Sequence, residues 1–279
     1  MSFSSDVKAE LAKQYSKSIH CQVAELAAMI MLEGQIYMNP ARLQFDSENP
    51  MLIEKYAILM KRAFGIDISK PLCTEDCERI IEKIQGLFLE KTCCKRAFIR
   101  GAFMATGSMS DPNKSYHFEI VCKSLEQATR LQELMQEFEA DAKIVERKNH
   151  YVVYLKEGSQ IVDVLNVMEA YVSLMNLENV RILKEMSNSI NRQVNCETAN
   201  IAKTVNAAVK QIADIELIRE HMGLDELPAP LREMAYVRLE YPDAPLKDLG
   251  QYMDPPVGKS GINHRLRKLA AIAEDIRNV

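Results

Sequence analysis

One carboxylate ends an apolar helical segment, where it could take part in metal chemistry. The segment LAAMIMLEG, residues 26–34, places Glu33 directly before Gly34. The segment IRGAFMATG, residues 99–107, repeats this pattern with Thr106 in the place of the acid. A site for a hard divalent cation needs several oxygen ligands, usually carboxylates. This pair offers one charge and one neutral hydroxyl, so the two residues by themselves do not make such a site.

A second candidate site lies near the carboxyl end of the chain. The segments APLKDLGQYM, DPPVG and KSGINHRLRKLAAIAEDI predict a short helix, a tight turn and a longer helix whose apolar residues recur every three or four positions. The second helix of a helix-turn-helix enters the major groove of DNA, where Arg, Lys and Asn pair with base edges or phosphates. The predicted DNA-binding residues are Lys259, Ser260, Asn263, His264, Arg265, Arg267 and Lys268.

Two alternatives to DNA contact remain open for this segment. The polar residues could form the solvated basic face of a small helical bundle. Ser260 could also be a helix N-cap, because a hydroxyl accepts the free N–H groups of a helix start.

The cysteines raise the question of a metal site. The seven cysteines are Cys21, Cys73, Cys77, Cys93, Cys94, Cys122 and Cys196. In a chain without a signal segment, an odd number of cysteines indicates thiols rather than disulfides. Cys73 and Cys77 stand at helical spacing, and the pair Cys93-Cys94 follows, so a zinc site is conceivable. No paired C-x-x-C knuckle is present and none of the five histidines is near in the sequence. We therefore expect no metal and no cofactor.

The amino-terminal two thirds of the chain contains one unit twice. With an offset of 73 residues, Ala28 aligns with Gly101 and Gly34 aligns with Gly107. Each copy opens with an apolar helix and continues with strand-like and amphipathic segments, which predicts the order αββαββα. The first copy is shortened, because only GIDISK, residues 65–70, represents its second strand pair.

The alternation of predicted helices and strands stops after about Val172, and the rest of the chain is predicted to be mainly helical. A 3.6-residue apolar stripe predicts a long connecting helix that ends at Gly223. The fold class is α+β, with a duplicated amino-terminal domain and an all-α carboxyl-terminal domain. The predicted ranges are 1–90 for the first repeat, 91–194 for the second, 195–229 for the connecting helix and 230–279 for the helix-turn-helix domain.

Bulk composition excludes some classes of protein. The chain has 279 residues with a formal net charge of −4, so it is not uniformly basic as a nucleic-acid coat protein would be. The apolar runs fall short of the ~20 residues that cross a bilayer, and the start of the chain lacks a hydrophobic signal core. We expect a cytoplasmic protein without a membrane partner, associated with the nucleoid.

The two glycine-ended helices resemble the LAGLIDADG signature of homing endonucleases, with IRGAFMATG as the weaker copy. The resemblance implies that the two helices pack side by side through small residues, here Ala28 and Gly101. It also implies that the acid before each final glycine holds a catalytic metal. Glu33 and Thr106 would then mark a vestigial metal position, because one of the two acids is missing.

Nearly the whole chain resembles the WhiA family of bacterial transcriptional regulators, which are linked to sporulation and cell division. The resemblance is densest at YHFEIV, NSINRQVNCETAN and SGINHRLRKL. It implies a protein that binds double-stranded promoter DNA without nuclease activity and reads it largely with the helix-turn-helix. Another transcriptional regulator or RNA polymerase is the protein partner that this role suggests.

Other functions compete with this interpretation. Glu33 with a second acid such as Asp111 could rebuild a nuclease site, and the acidic amino-terminal domain could be a protein-interaction adaptor. The polar residues of NSINRQVNCETAN could contact phosphate, or could only cap helices and face water. The phosphate-contact candidates there are Asn188, Asn191, Arg192 and Asn195.

Overall fold

The computed structural model describes residues 2–278 and divides into two compact units, Met1–Glu185 and Met186–Val279. Each unit has its own cluster of buried apolar side chains. The division falls between residues 185 and 186, whereas the sequence suggests a boundary near residue 195. Within residues 2–278, no helix combines the length and apolarity needed to cross a bilayer.

The first repeat contains four helices and one hairpin. Its elements are α1 (Phe3–Ala12), α2 (Ile19–Leu32), β1 (Gln35–Met38), β2 (Ala41–Gln44), α3 (Pro50–Phe64) and α4 (Thr74–Gln85). Strands β1 and β2 form a two-stranded antiparallel sheet. Helix α3 has a regular start and end, because the Asn49 side chain accepts the Met51 N–H and Gly65 adopts a left-handed conformation after the last turn.

The prediction of a strand at GIDISK is wrong. Residues 65–70 form turns and irregular backbone. The Asp67 carboxylate accepts the Ser69 N–H at 3.0 Å, and this bond lowers the pKa of Asp67. Such a local side-chain bond favours a turn over an extended strand. The first repeat thus lacks the second strand pair of the order αββαββα.

The second repeat has the complete predicted order. Its elements are α5 (Thr92–Thr106), β3 (Gly107–Met109), β4 (Phe118–Cys122), α6 (Leu125–Gln136), β5 (Lys143–Arg147), β6 (His150–Leu155) and α7 (Gly158–Met168). The strands form an antiparallel sheet in the order β3-β4-β6-β5. Phe118, Ile120 and Cys122 alternate with partly exposed residues along β4, so one face of the sheet covers the core.

Helices α2 and α5 pack tightly against each other at the centre of the first unit. A methyl group on Gly101 would overlap the carbonyl oxygen of Glu25 and lie 3.0 Å from its carbonyl carbon. Ala28, the small residue at the equivalent position in the first repeat, is fully buried. This confirms the expectation that small residues allow the two helices to approach closely.

A buried ion cluster accompanies this contact. The Glu25 carboxylate accepts hydrogen bonds from Arg100 Nε at 3.1 Å and Nη2 at 3.0 Å, and it lies 2.6 Å from Lys55 Nζ. Arg100 also binds Glu169 at 2.8 Å and the Ser16 hydroxyl at 2.9 Å. Burial lowers the pKa of Lys55, and the Glu25 carboxylate opposes that effect. The carboxylate therefore joins α2, α3 and α5 in one network.

Helix α8, Tyr171–His221, begins earlier than residue 195. The Glu10 carboxylate accepts the N–H groups of Val172 and Ser173 at 2.8 and 2.9 Å, so an acid from α1 caps its first turn. Its carboxyl end matches the prediction, since Gly223 has φ +82° just beyond it. The early start depends on this long-range cap, which local periodicity does not show.

The second unit is helical after α8. It contains α9 (Ala229–Glu240), the short α10 (Leu246–Leu249) and α11 (Lys259–Arg277). Leu249, Met253, Ile262, Leu266 and Leu269 are buried in its core, as the apolar stripes predict. These side chains place α10 and α11 against α9 as a compact three-helix arrangement.

Gly101→Ala should destabilise the first unit by about 1–3 kcal/mol, because the added methyl overlaps backbone rather than a flexible side chain. Gly158→Ala, in the first turn of α7, is the matched control, since a Cβ there would lie at an ordinary contact distance of 3.4 Å from the Tyr116 ring. Urea unfolding followed by circular dichroism measures both changes. Equal midpoints for the two variants would contradict the close helix contact.

Glu25→Gln should cost about 3–5 kcal/mol, because it leaves Lys55 and Arg100 buried without their shared anion. Glu137→Gln removes a carboxylate that is half-exposed and pairs with Lys95, so it should cost at most about 1 kcal/mol. The comparison is made by urea titration at neutral pH. A similar loss of unfolding free energy in both variants would show that the buried cluster stabilises the fold no more than a surface ion pair does.

Candidate nucleic-acid interface

Helix α11 presents a basic face to solvent because its large apolar residues are buried on the opposite side. Ile262, Leu266 and Leu269 point into the second unit. The other side of the first three turns carries the predicted polar residues. Five of them are exposed and one, Asn263, is half-buried. The exposed residues are Lys259, Ser260, His264, Arg267 and Lys268.

Arg265 differs from its neighbours, because its side chain is only 23% exposed and contacts α9. Its Nη1 atom lies 3.6 Å from the Glu233 carboxylate. The other carboxylate oxygen of Glu233 accepts the Asp254 N–H at 2.8 Å. Arg265 thus links α11 to α9 and, through Glu233, to the preceding turn. The sequence pattern placed it with the exposed cations but could not show this pairing.

The turn between α10 and α11 is tight. The Val257 N–H donates to the Gly250 carbonyl at 2.9 Å. A methyl group on Gly250 would overlap the Val257 carbonyl oxygen, so only glycine fits there without a shift of the backbone. The packing of the turn fixes the angle at which α11 leaves it.

The amino-terminal end of α11 has no side-chain cap. Gly258 is the N-cap residue, in extended conformation with φ −66° and ψ 160°, and no side chain within residues 2–278 caps the first N–H groups. The alternative of Ser260 as N-cap is wrong, because Ser260 lies inside the first turn. An uncapped helix start directs free N–H groups outward and attracts anions such as phosphate.

Aromatic residues beside the turn were missed in the sequence. Tyr252 follows α10, is half-exposed, and stacks on Tyr241 with ring centroids 4.1 Å apart. Tyr236 on α9 is also half-exposed. No periodic signal marks these tyrosines. The stacking of Tyr252 on Tyr241 becomes visible only when the helices pack.

The polar segment of α8 lies in the open. Asn188, Asn191, Arg192 and Asn195 are exposed, so each could face a phosphate or only water. Arg192 donates to the Asn188 carbonyl one turn earlier at 3.3 Å. The structure therefore leaves their role as a prediction.

The two signature helices end in side chains of different chemistry, the Glu33 carboxylate and the Thr106 hydroxyl. The Thr106 hydroxyl donates to the Val121 carbonyl on β4 at 2.7 Å, so it ties the helix to the sheet. Glu33 is half-buried at the end of α2. Burial lowers the pKa of Lys8, while the nearby Glu33 carboxylate raises it. Glu33 therefore lies within electrostatic range of one partly buried lysine.

Asp111, the second acid considered for a nuclease site, is engaged locally. Its carboxylate accepts the backbone N–H of Asn113 at 2.9 Å and the amide Nδ2 at 3.0 Å, and the backbone bond lowers the pKa of Asp111. These bonds form a side-chain turn.

The outer face of the four-stranded sheet is mixed in character. Glu119 binds Ser108 at 3.0 Å and His117 at 3.0 Å, with Arg147 at 3.8 Å. Val145 on β5 is 37% exposed on the same face. An acid and an apolar side chain among the cations make this face less basic than that of α11.

The cysteine pair considered for zinc from its spacing does not form a site. Cys73 caps helix α4, because its sulfur accepts the Asp76 N–H at 3.4 Å, whereas Cys77 is buried in a small apolar cluster. The vicinal pair Cys93-Cys94 lies elsewhere, at the start of α5.

Comparison with known proteins identifies both parts of the chain. The WhiA LAGLIDADG-like domain model matches residues 95–187, and the WhiA C-terminal HTH domain model matches residues 190–273. A crystal structure of full-length WhiA from Thermatoga maritima has 26% sequence identity and a TM-score of 0.64, covering 99% of each chain. The crystal structure of an N-terminal LAGLIDADG domain of WhiA covers 60% of this chain and 92% of its own, at a TM-score of 0.51 and 21% identity, and supports the fold.

Curated relatives match over the full length. The "Probable cell division protein WhiA" of Lachnoclostridium phytofermentans is 46% identical, covering 99% of this chain and 100% of the relative. The protein of the same name from Lachnospira eligens is 47% identical, covering 99% and 98%. Together with the LAGLIDADG-like helices and the helix-turn-helix described above, these matches show that the chain belongs to the WhiA family.

Proposed function

We propose that this protein is a transcriptional regulator that binds double-stranded promoter DNA through α11. The single observation that carries the proposal is the exposed basic face at the start of a helix that follows a tight turn. Lys259, Arg267 and Lys268 are exposed there. The uncapped N–H groups after Gly258 add a site for a backbone phosphate.

The residues of this face divide into two roles. Lys259 and the helix start attract phosphate, which fixes the position of the protein on the duplex without selecting a sequence. Asn263, His264, Arg267 and Lys268 stand one to two turns further along and can reach base edges in the major groove. Arg265 holds α11 against α9 through Glu233 and so orients the face rather than reading DNA.

The biological role proposed follows from the family. Relatives carry the name of a cell division protein, and we assign this chain to the control of genes for cell division, chromosome segregation or sporulation. Such a regulator works in the cytoplasm on the nucleoid. The mixed outer face of the sheet around Glu119 and Val145 favours a protein partner, such as another regulator or RNA polymerase, over a second DNA saddle.

We further infer that the first unit does not cleave DNA. A nuclease of the LAGLIDADG plan needs an acid from each helix to hold metal against phosphate. Here Thr106 stands in place of the second acid, and its hydroxyl is bonded to the sheet, so Glu33 alone supplies a carboxylate at these two positions.

Arg267→Ala together with Lys268→Ala should weaken binding to promoter fragments at least about tenfold near physiological salt, because two phosphate or base contacts are lost. The slope of log affinity against log salt should fall by up to about 1.8. Gel-shift titrations over a range of salt concentrations, on fragments enriched by the wild-type protein from genomic DNA, measure both quantities.

The matched control removes two exposed lysines from the first unit. Lys61→Ala with Lys83→Ala changes the net charge equally but should leave the affinity and the salt slope within about twofold of wild type. If both double variants bound DNA equally weakly, the loss of affinity would be explained by net charge and not by α11. Unchanged affinity in the α11 variant would refute the proposed interface.

Supercoiled plasmid and cognate promoter DNA incubated with the protein and Mg²⁺ or Mn²⁺ should remain intact, because Glu33 is the only acid at the two signature helix ends. Agarose electrophoresis checks for nicked or linear product. Glu33→Gln serves as the control: nicking by wild type that this variant abolishes would establish the rival nuclease function.

A further inference from the structure

Four metal-binding side chains meet at the amino-terminal ends of α2 and α5. Ligand atoms of His20, Cys21, Cys93 and Cys94 all lie within 4.8 Å of one another. His20 Nδ1 is 3.1 Å from the Cys94 sulfur and 3.3 Å from the Cys21 sulfur. The sequence alone did not suggest this set, because the histidine and the cysteine pair are far apart along the chain.

The duplication explains why the four residues converge. With the repeat offset of 73, His20 corresponds to Cys93 and Cys21 corresponds to Cys94. Both pairs stand in the first turn of their helix. Since α2 and α5 pack side by side and run in the same direction, equivalent positions of the two repeats face each other. Each repeat contributes two ligands to one place.

We propose that these four side chains bind one zinc ion with a Cys3His ligand set. A tetrahedral zinc site has bonds of about 2.3 Å to sulfur and 2.0–2.1 Å to nitrogen, which puts its ligand atoms roughly 3.5–3.8 Å apart. The two sulfur–nitrogen separations of the cluster are slightly shorter, at 3.1 and 3.3 Å, and all its ligand atoms lie within 4.8 Å of one another, so side-chain rotations can bring them to the tetrahedral distances.

The electrostatics of the location suit this ligand set. Zinc with three thiolates and a neutral histidine carries a net charge of −1. Each helix start contributes about half a positive charge, and α2 and α5 both begin here without a side-chain cap. The negative complex is therefore stabilised by two helix dipoles. A bare cation held only by neutral groups would be repelled at the same place.

Burial raises the pKa of Cys21 to about 12 and also raises the pKa of Cys94. The thiolate is the form of cysteine that binds zinc, so each cysteine gives its proton to solvent as its zinc–sulfur bond forms, and no electron is transferred.

Two of the four side chains are exposed and two are buried, so a metal ion can enter from solvent and still be held by rigidly packed ligands. His20 and Cys93 are exposed, so a metal ion can reach them from solvent, whereas Cys21 and Cys94 are 4% exposed and pack against Ala24 and Ala97. A zinc ion here would tie the two repeats together at the helix ends opposite to Glu33 and Thr106. The proposed role is therefore structural and independent of DNA binding by α11.

The test loads the full-length protein with zinc under reducing conditions, removes the excess, and measures metal content by mass spectrometry. One zinc per chain is expected. Replacement by Co²⁺ should give the visible bands and sulfur-to-cobalt charge transfer of a tetrahedral thiolate site. Thermal unfolding should shift upward with zinc in the wild type, because the ion binds only the folded arrangement.

Single variants of the exposed ligands, His20→Ala and Cys93→Ser, should each weaken zinc binding at least about tenfold with little effect on metal-free stability. His20→Cys should retain zinc and alter the cobalt spectrum. Cys196→Ser is the matched control, since that thiol is exposed and outside the cluster, and should bind as wild type.

Three results would overturn the site: no zinc above background in the loaded wild type, equal zinc in the ligand variants and the control, or cobalt spectra without thiolate charge transfer. A disulfide or an iron cluster in place of bound zinc would also refute it. Circular dichroism of the metal-free His20→Ala and Cys93→Ser variants verifies that they are folded, so loss of zinc in them reports on the ligands.

Discussion

The close contact between α2 and α5 is the constraint on which the first unit depends. Gly101 allows the backbone of α5 to touch the Glu25 carbonyl, and the Glu25 carboxylate is held at the same level by Arg100 and Lys55. Backbone proximity and charge pairing are therefore coupled through one residue. A larger side chain at Gly101 would separate the helices and lengthen the ion pairs together.

This contact also determines what happens at the two ends of the helix pair. At the amino-terminal ends it brings the paired positions of the repeats into register, which collects His20, Cys21, Cys93 and Cys94. At the carboxyl-terminal ends the two repeats differ. One ends in an acid with a lysine nearby, and Thr106 ends the other in a hydroxyl bonded to the sheet. The scaffold is retained while the chemistry for which two acids are needed is absent.

The second unit has a separate physical basis. Its core is formed by α9, α10, α11 and the end of α8, and the tight turn at Gly250 sets the direction of α11. The ion pair of Arg265 with Glu233 holds α11 against α9, so this basic residue positions the helix. The remaining cations are exposed because the buried residues Ile262, Leu266 and Leu269 direct the opposite side of the helix inward. DNA recognition is thus proposed for residues that the packing leaves free.

The sequence by itself determined the repeat, the α+β class, the complete order of the second repeat and the basic face of α11. These features rest on spacing of two to four residues, which local backbone geometry converts directly into a face of a helix or strand. The small residues Ala28 and Gly101 could likewise be recognised from the duplication. The family assignment agrees with these local patterns.

Only the tertiary structure decided the rest. The start of α8 depends on the Glu10 carboxylate from α1. A turn at Asp67 stands where a strand was expected. Arg265 of α11 pairs with Glu233 of α9. The meeting of His20 with Cys94 is of the same kind. Each of these depends on which distant elements become neighbours, and that is set by packing of whole helices rather than by the residues on either side.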